Sequence, residues 1–178
     1  GARAVGANVD LIRTGSLYHD VGKLHAPGWF IENQKDGPNP HDALNDPEAS
    51  AAVLQAHVDE GLQLARRHRL PRPIADFIPE HQGTLKMGYF LHRARELNAD
   101  VDENLFRYHG PTPRSRETAI LMMADGCEAA LRSLPPNTSE TEAIDTVRRI
   151  VESRLLDGQL RKSGLGRAEV ELVLQAFV

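Results

Sequence analysis

The sequence predicts an all-α, single-domain protein, on three observations. Apolar residues recur at helical spacing in successive segments, those segments open and close on helix-capping residues, and strand-like alternation never lasts beyond a few residues. At 178 residues the chain has the length of one ordinary domain. A globular fold of that size buries roughly 70% of the surface its unfolded chain exposes, so a core forms without disulfide staples.

The elements follow in order. Asn8 is an N-cap candidate, and Val9, Leu11, Ile12 and Leu17 form an apolar stripe that predicts a helix ending near Gly22. Residues 23–46, rich in Pro and Gly, predict a long loop with one turn around Trp29-Phe30-Ile31; loops of this length inside compact domains are usually functional. Asp46-Pro47 pairs an N-cap with proline at the first helical position and predicts a helix to about His68. Pro71-Arg72-Pro73 opens the next helix, which stops at Gly83, and another covers about Lys86 to Leu97. Asn98 to Arg114 reads as irregular. Helices then run from Ser115 to Leu134, from the Ser139/Glu142 capping box to near Gly158, and from Arg167 to Phe177.

Composition excludes several functions. The 21 basic and 25 acidic residues leave a net charge of −4, which offers no basic surplus for duplex nucleic acid. The single cysteine, Cys127, rules out an internal disulfide framework or a Cys-cluster zinc site. No uncharged stretch approaches a membrane span, and no signal peptide is present. The chain opens on Gly-Ala-Arg without methionine and is read as a piece of a longer protein.

Eight histidines then direct attention to metal chemistry. In Tyr18-His19-Asp20-Val21-Gly22-Lys23, an adjacent His and Asp at a helix end can both reach one metal ion, or can be a solvated terminus. Lys23 can meet a phosphate as a mobile point charge. Asp125 follows six apolar residues, Ala119 to Ala124, in a helix that reads as buried, where a carboxylate costs several kcal/mol unless paired. It is either a metal ligand, the reading favoured here, or half of a buried salt bridge. His57 lies on an apolar helix face and is either a hydrogen-bonded core residue or a ligand, with Gly61 clearing space one turn on. His81 ends its helix, where it either points into a cleft or meets the helix dipole. His25, His68, His92 and His109 have loop or surface readings, and the basic run from Arg66 to Arg69 reads as a solvated face.

The ordered set is more informative than its members. His-Asp, His, His and Asp on successive helices resemble the HD hydrolase superfamily, with His19 and Asp20 inside a His-Asp-x-Gly-Lys form. Glu32-Asn33-Gln34, Asn39-Pro40-His41-Asp42, Phe106-Arg107-Tyr108 through Gly110-Pro111, Glu117-Thr118-Ala119-Ile120 and Asp157-Gly158-Gln159 narrow the resemblance to the seven-transmembrane receptor HD family. That resemblance covers nearly the whole chain. It implies a helical domain on the cytoplasmic side of a bacterial inner-membrane receptor, hydrolysing cyclic di-AMP to linear pApA.

It further implies two divalent transition metals, Mn or Fe, a donor preference consistent with imidazole and carboxylate ligands. His19, Asp20 and Asp125 are expected on one ion, His57 and His81 on the other, with Asp20 bridging. The ions are expected to activate a water and to neutralise a phosphodiester oxygen. Catalytic roles fall on His19, Asp20 and Lys23. Substrate contacts are expected from Lys23, Asn33, His41, Gln82 and Arg107, with Asn33 and His41 alternatively pinning the long loop. Trp29, Phe30 and Tyr89 are candidates either to stack on adenine or to pack under that loop.

Two departures stand out. A further family histidine is expected upstream of Gly1, and Gln82 stands where many relatives have a second histidine of His-His-Gly. The competing functional readings are hydrolysis of cyclic di-GMP or another nucleotide, and a catalytically impaired module that binds nucleotide for signalling. An all-α interaction domain has to treat the His/Asp series as coincidence.

Overall fold

The computed structural model describes residues 1–34 and 38–178. A 3₁₀ turn at Ala2–Val5 leads into α1 (Val9–Tyr18), and α2 (Pro40–Leu44) and α3 (Pro47–Arg67) follow the loop region. Next come α4 (Arg72–Ala75), α5 (Phe77–Glu80), α6 (Gly88–Leu97), α7 (Arg116–Arg132), α8 (Glu140–Leu156) and α9 (Arg167–Gln175). Among the described residues there is no strand, only an isolated bridge between Lys86 and Arg107. The all-α, one-domain expectation holds. Among the described residues, no helix is long and apolar enough to cross a membrane.

The caps are those expected. Asn8 Oδ1 accepts from Leu11 N at 3.0 Å, Asp46 Oδ1 from Ala49 N at 3.0 Å, and Ser139 and Glu142 close a reciprocal capping box.

Four boundaries differ, each for a reason beyond local pattern. The first helix ends at Tyr18 rather than Gly22, and Val21–His25 forms a 3₁₀ turn packed on α3. A Cβ at Gly22 would stand 1.8 Å from the His57 carbonyl oxygen, so the chain leaves the helix to lay bare backbone against α3. The single helix expected from Pro71 to Gly83 is two, α4 and α5. Pro79 has no N–H for the carbonyl of Ala75 and its ring crowds that carbonyl, so the break falls at Asp76. The sixth helix starts at Gly88 instead of Lys86, because Met87 N donates to Phe106 O and Tyr108 N to Leu85 O, holding 85–87 extended. The last helix stops at Gln175, where Ala176 and Phe177 close with tighter i→i−3 hydrogen bonds. Within 23–46, of which 35–37 lie outside the described residues, the expected loop contains among the described residues three 3₁₀ turns, one of them the Val21–His25 turn itself, and α2.

Two apolar clusters hold the helices. Met122, Met123 and Cys127 of α7 pack with Val147 and Val151 of α8 and Val170 and Val173 of α9. Ala51 of α3 packs with Leu91 and Ala94 of α6 and Phe106. Between them α5 inserts Phe77 against Gly15 and Ile78 against Gly61, both side chains fully buried. Glu80, also buried, accepts from Arg114 N (2.8 Å), Arg114 Nε (2.7 Å) and Thr118 Oγ1 (2.7 Å), which ties the end of α5 to the start of α7.

Two outcomes follow from this packing. Gly22→Ala forces the 3₁₀ turn off α3 and is expected to lower stability by about 1–3 kcal/mol or more in denaturant melts. Burial pushes the Cys127 thiol up to about 11, above its ordinary value of 9.0. The native chain is therefore expected to resist a thiol reagent at pH 8 and react on unfolding. Between pH 9 and 11 the unfolded thiol ionises first, so stability falls as pH rises, and the fall is smaller in Cys127→Ala.

Candidate metal centre and cleft

Four separate segments meet at Asp20. It sits just past the end of α1, at φ −103° and ψ 12°, where the turn to the Gly22 contact aims its carboxylate inward. His19 Nε2 lies 3.2 Å from Asp20 Oδ2, while His57 Nε2 and His81 Nε2 lie 3.6 and 3.4 Å from Oδ1. His19 Nε2 is also 3.6 Å from Asp125 Oδ1, and the His57 and His81 Nε2 atoms are 3.4 Å apart. The five residues expected as metal ligands thus converge, from the end of α1, α3, the end of α5, and α7.

The tautomers follow from the backbone. His19 Nδ1 faces Ser16 O at 2.8 Å, His81 Nδ1 faces Ile78 O at 2.7 Å, and His57 Nδ1 faces Leu54 O. A carbonyl only accepts, so each Nδ1 donates, and each ring, when neutral, directs its Nε2 lone pair toward a carboxylate; His19, set between Asp20 and Asp125, carries a proton on Nε2 at neutral pH unless a cation takes its place. Metal-ligating histidines are oriented in this way by a hydrogen bond on their other nitrogen. Among the described residues, Asp20 Oδ1 is buried without a hydrogen-bond partner. Lone pairs of two imidazoles facing an unpartnered carboxylate oxygen repel one another unless a cation lies between them, and the donor set fits a divalent transition metal. His19, Asp20 and His81 alone bring three donor atoms within 4.8 Å of one another.

Electrostatics reflect the same concentration of charge. Burial opposes protonation of His19, but Asp125 and Asp20 outweigh it and lift the imidazole to about 10. Burial, then the neighbouring His81, pushes His57 down to about 4. Burial opposes ionisation of Asp20, yet His19 and His81 hold its carboxyl far below the usual range. Lys23 Nζ lies 2.6 Å from Asp20 Oδ2 and also pairs with Glu32, and the two carboxylates raise its pKa against the opposing effect of burial.

Beside the cluster opens a cleft of about 290 Å³, lined among others by Lys23, Phe30, His57, Gln82, Phe90 and Tyr108. His41 belongs to its wall but is tied down: Nε2 is 3.0 Å from Trp29 O, and the ring packs on Trp29 and Phe90. Phe30 is buried with its ring against His57, under the Lys23 ammonium. Trp29 and the exposed Tyr89 also border the cleft. Asn33 is exposed at the end of a 3₁₀ turn and does not line it. Arg107 lies outside that wall too, donating to Thr84 O at 2.9 Å, with Asp157 Oδ2 at 3.8 Å. A larger cavity of about 680 Å³ lies elsewhere, at the α7–α8 turn, and no histidine lines it.

Sequence reasoning missed two contributors. Glu32, seen only as part of a motif, is the second partner of Lys23. Tyr108 stands edge-on to His57 with its phenol pushed up by burial, Asp20 and Asp125. Its place in Phe106-Arg107-Tyr108 was the only local signal.

The model of the HD domain family matches residues 2–130, a span that contains all five ligand candidates. An uncharacterized protein of Synechocystis, slr0104, is 50% identical over 99% of this chain and 22% of its own length. The cyclic-di-AMP phosphodiesterase PgpH of Listeria monocytogenes is 38% identical over 99% of this chain and 24% of its own length. The chain thus spans about a quarter of the length of the curated relatives it matches. The crystal structure of the L. monocytogenes PgpH HD domain in complex with cyclic-di-AMP superposes with a TM-score of 0.93, at 37% identity, covering 98% of this chain and 80% of that one. The family read from scattered motifs is the one that the whole chain supports: this protein belongs to the HD domain family and is similar throughout to the HD domain of PgpH.

Proposed function

We propose that this chain is the HD hydrolase domain of a longer membrane protein, residues 1–178 forming its cytoplasmic catalytic unit, and that it hydrolyses cyclic di-AMP to linear pApA. One observation carries the reading. Three imidazole Nε2 atoms converge with Asp20 and Asp125 beside an aromatic-walled cleft, in a fold that matches a domain crystallised with that cyclic dinucleotide.

His19, Asp20 and Asp125 form one ligand group and His57 and His81 the second, with Asp20 presenting Oδ2 to the first and Oδ1 to the other. Two divalent metals, Mn or Fe, held by these residues would supply the Lewis acidity to activate water and neutralise a phosphodiester oxygen. Water adds to phosphorus, the P–O3′ bond breaks, and the 3′ oxygen takes up a proton, leaving a 5′-phosphate on a linear dinucleotide. The protein's own part is orientation. Backbone carbonyls of Ser16, Leu54 and Ile78 fix Nδ1 as the donor in all three rings and so aim each Nε2 at the cluster, and Lys23 pairs with Asp20 Oδ2. Phe30, Phe90 and Tyr108 give the cleft an aromatic wall, and the Gln82 amide in the same lining offers a hydrogen bond to phosphate or water. His41 shapes the wall from its bond to Trp29. Asn33 and Arg107, expected as substrate contacts, stand outside the cleft wall, Asn33 exposed and Arg107 on Thr84 O.

The test is product analysis of the chain, alone and within the full-length protein, incubated with Mn²⁺ and either cyclic di-AMP or cyclic di-GMP. Linear pApA from the first is expected; no turnover of either by metal-loaded protein overturns the reading in favour of a nucleotide-binding module. Asp20→Ala is expected to abolish turnover and reduce bound metal, measured by elemental analysis. Chelation is expected to lower the melting temperature of the loaded chain, because a metal bound only by the folded state stabilises it. That shift should vanish in Asp20→Ala.

A further inference from the structure

The proposed substrate is anionic and the chain carries net negative charge, so cations at the site matter. Lys23 is committed to Asp20 and Glu32, and Arg107 to Thr84 and Asp157. Arg154 of α8 is the exception. It is half-buried, and among the described residues it has no carboxylate at ion-pair distance. Its Nε is buried without a hydrogen-bond partner, and Nη1 donates only to the adjacent Ser153 Oγ at 3.2 Å. A partly buried guanidinium with so few partners is costly unless an anion meets it.

Its position is specific. The guanidinium lies against α7 at Gly126, the residue after Asp125, where a Cβ would come within 2.8 Å of Arg154 Nη2 and 3.5 Å of Cζ. Glycine inside a helix costs about 1 kcal/mol relative to alanine, so the gap is held at a cost. Burial works against its charge, and Cys127, Asp125 and Asp157 favour it through space, without a hydrogen bond.

We propose that Arg154 is a phosphate-binding residue of this site, its guanidinium seated in the gap at Gly126 to take a non-bridging phosphate oxygen of the nucleotide held beside Asp125. This rests on the phosphodiesterase reading for the ligand's identity, but not for its chemistry. A planar fork of N–H donors matches two phosphate oxygens, which an ammonium does not. The residue lies outside the 2–130 span that defines the family match, on the helix that the metal ligands do not occupy.

The experiment compares wild type with Arg154→Met, Arg154→Lys and Gly126→Ala, all Mn-loaded. It measures metal content, melting temperature, KM and kcat for cyclic di-AMP, and the Kd of inorganic phosphate by calorimetry. Arg154→Met and Gly126→Ala are expected to raise both KM and phosphate Kd about ten-fold or more, with metal content unchanged and Arg154→Lys between them. Gly126→Ala keeps the charge and displaces it, so it separates a placed ligand from a general field, and it decides the matter if Arg154→Met folds poorly. Unchanged phosphate Kd and KM in Arg154→Met and Gly126→Ala, or no phosphate binding by wild type, overturn the proposal. If wild type turns over no cyclic dinucleotide, the phosphodiesterase reading fails alone, and the phosphate Kd series still decides the role of Arg154.

Discussion

The carboxylate of Asp20 is the point on which the rest of the structure is organised. It is half-buried, its Oδ1 is buried with no hydrogen-bond partner among the described residues, and three imidazoles and an ammonium from different elements face it. Isolated, such a group is strongly unfavourable in a protein interior. Its surroundings make it tenable only together, so the packing of α1, α3, α5 and α7 and the chemistry of the site are one problem.

The close backbone contacts make that convergence feasible. Gly22 lets the turn after Asp20 touch the His57 carbonyl, and Gly61 gives Ile78 of α5 its place against α3. Pro79 splits the segment before His81 into two short helices, which changes the direction from which that imidazole arrives. Glu80, the residue before His81, is anchored to Thr118 two turns ahead of Asp125 on α7. The spacing between His81 and Asp125 is therefore held by a buried carboxylate with both oxygens hydrogen-bonded.

The cleft divides its labour by polarity. One end is the His/Asp cluster; the other is an aromatic wall of Phe30, Phe90 and Tyr108 braced by His41. A ligand with a charged phosphodiester and flat apolar bases meets both ends at once. The aromatic rings also lower the local polarity around His57, whose protonation is disfavoured by burial.

The sequence by itself determined the class of fold, most helix starts and the five residues that meet at the centre. Caps, prolines and apolar periodicity act within a few residues, and a His-Asp pair followed by His, His and Asp in order is readable without coordinates. Where helices stop was less legible, because Gly22 and Met87 answer to contacts with α3 and Phe106 that are distant in the chain. Only the tertiary structure decided which side chains face the cleft. Arg107 and Asn33 look as available in the sequence as Lys23, yet one is bound to Thr84 and the other faces solvent. Arg154 and Tyr108 become part of the site only because α8 crosses α7 at a glycine and the 103–108 segment folds back over α3. The physical reason is range: capping and periodicity are local interactions, whereas partners for charges are chosen by the packing of elements far apart in sequence.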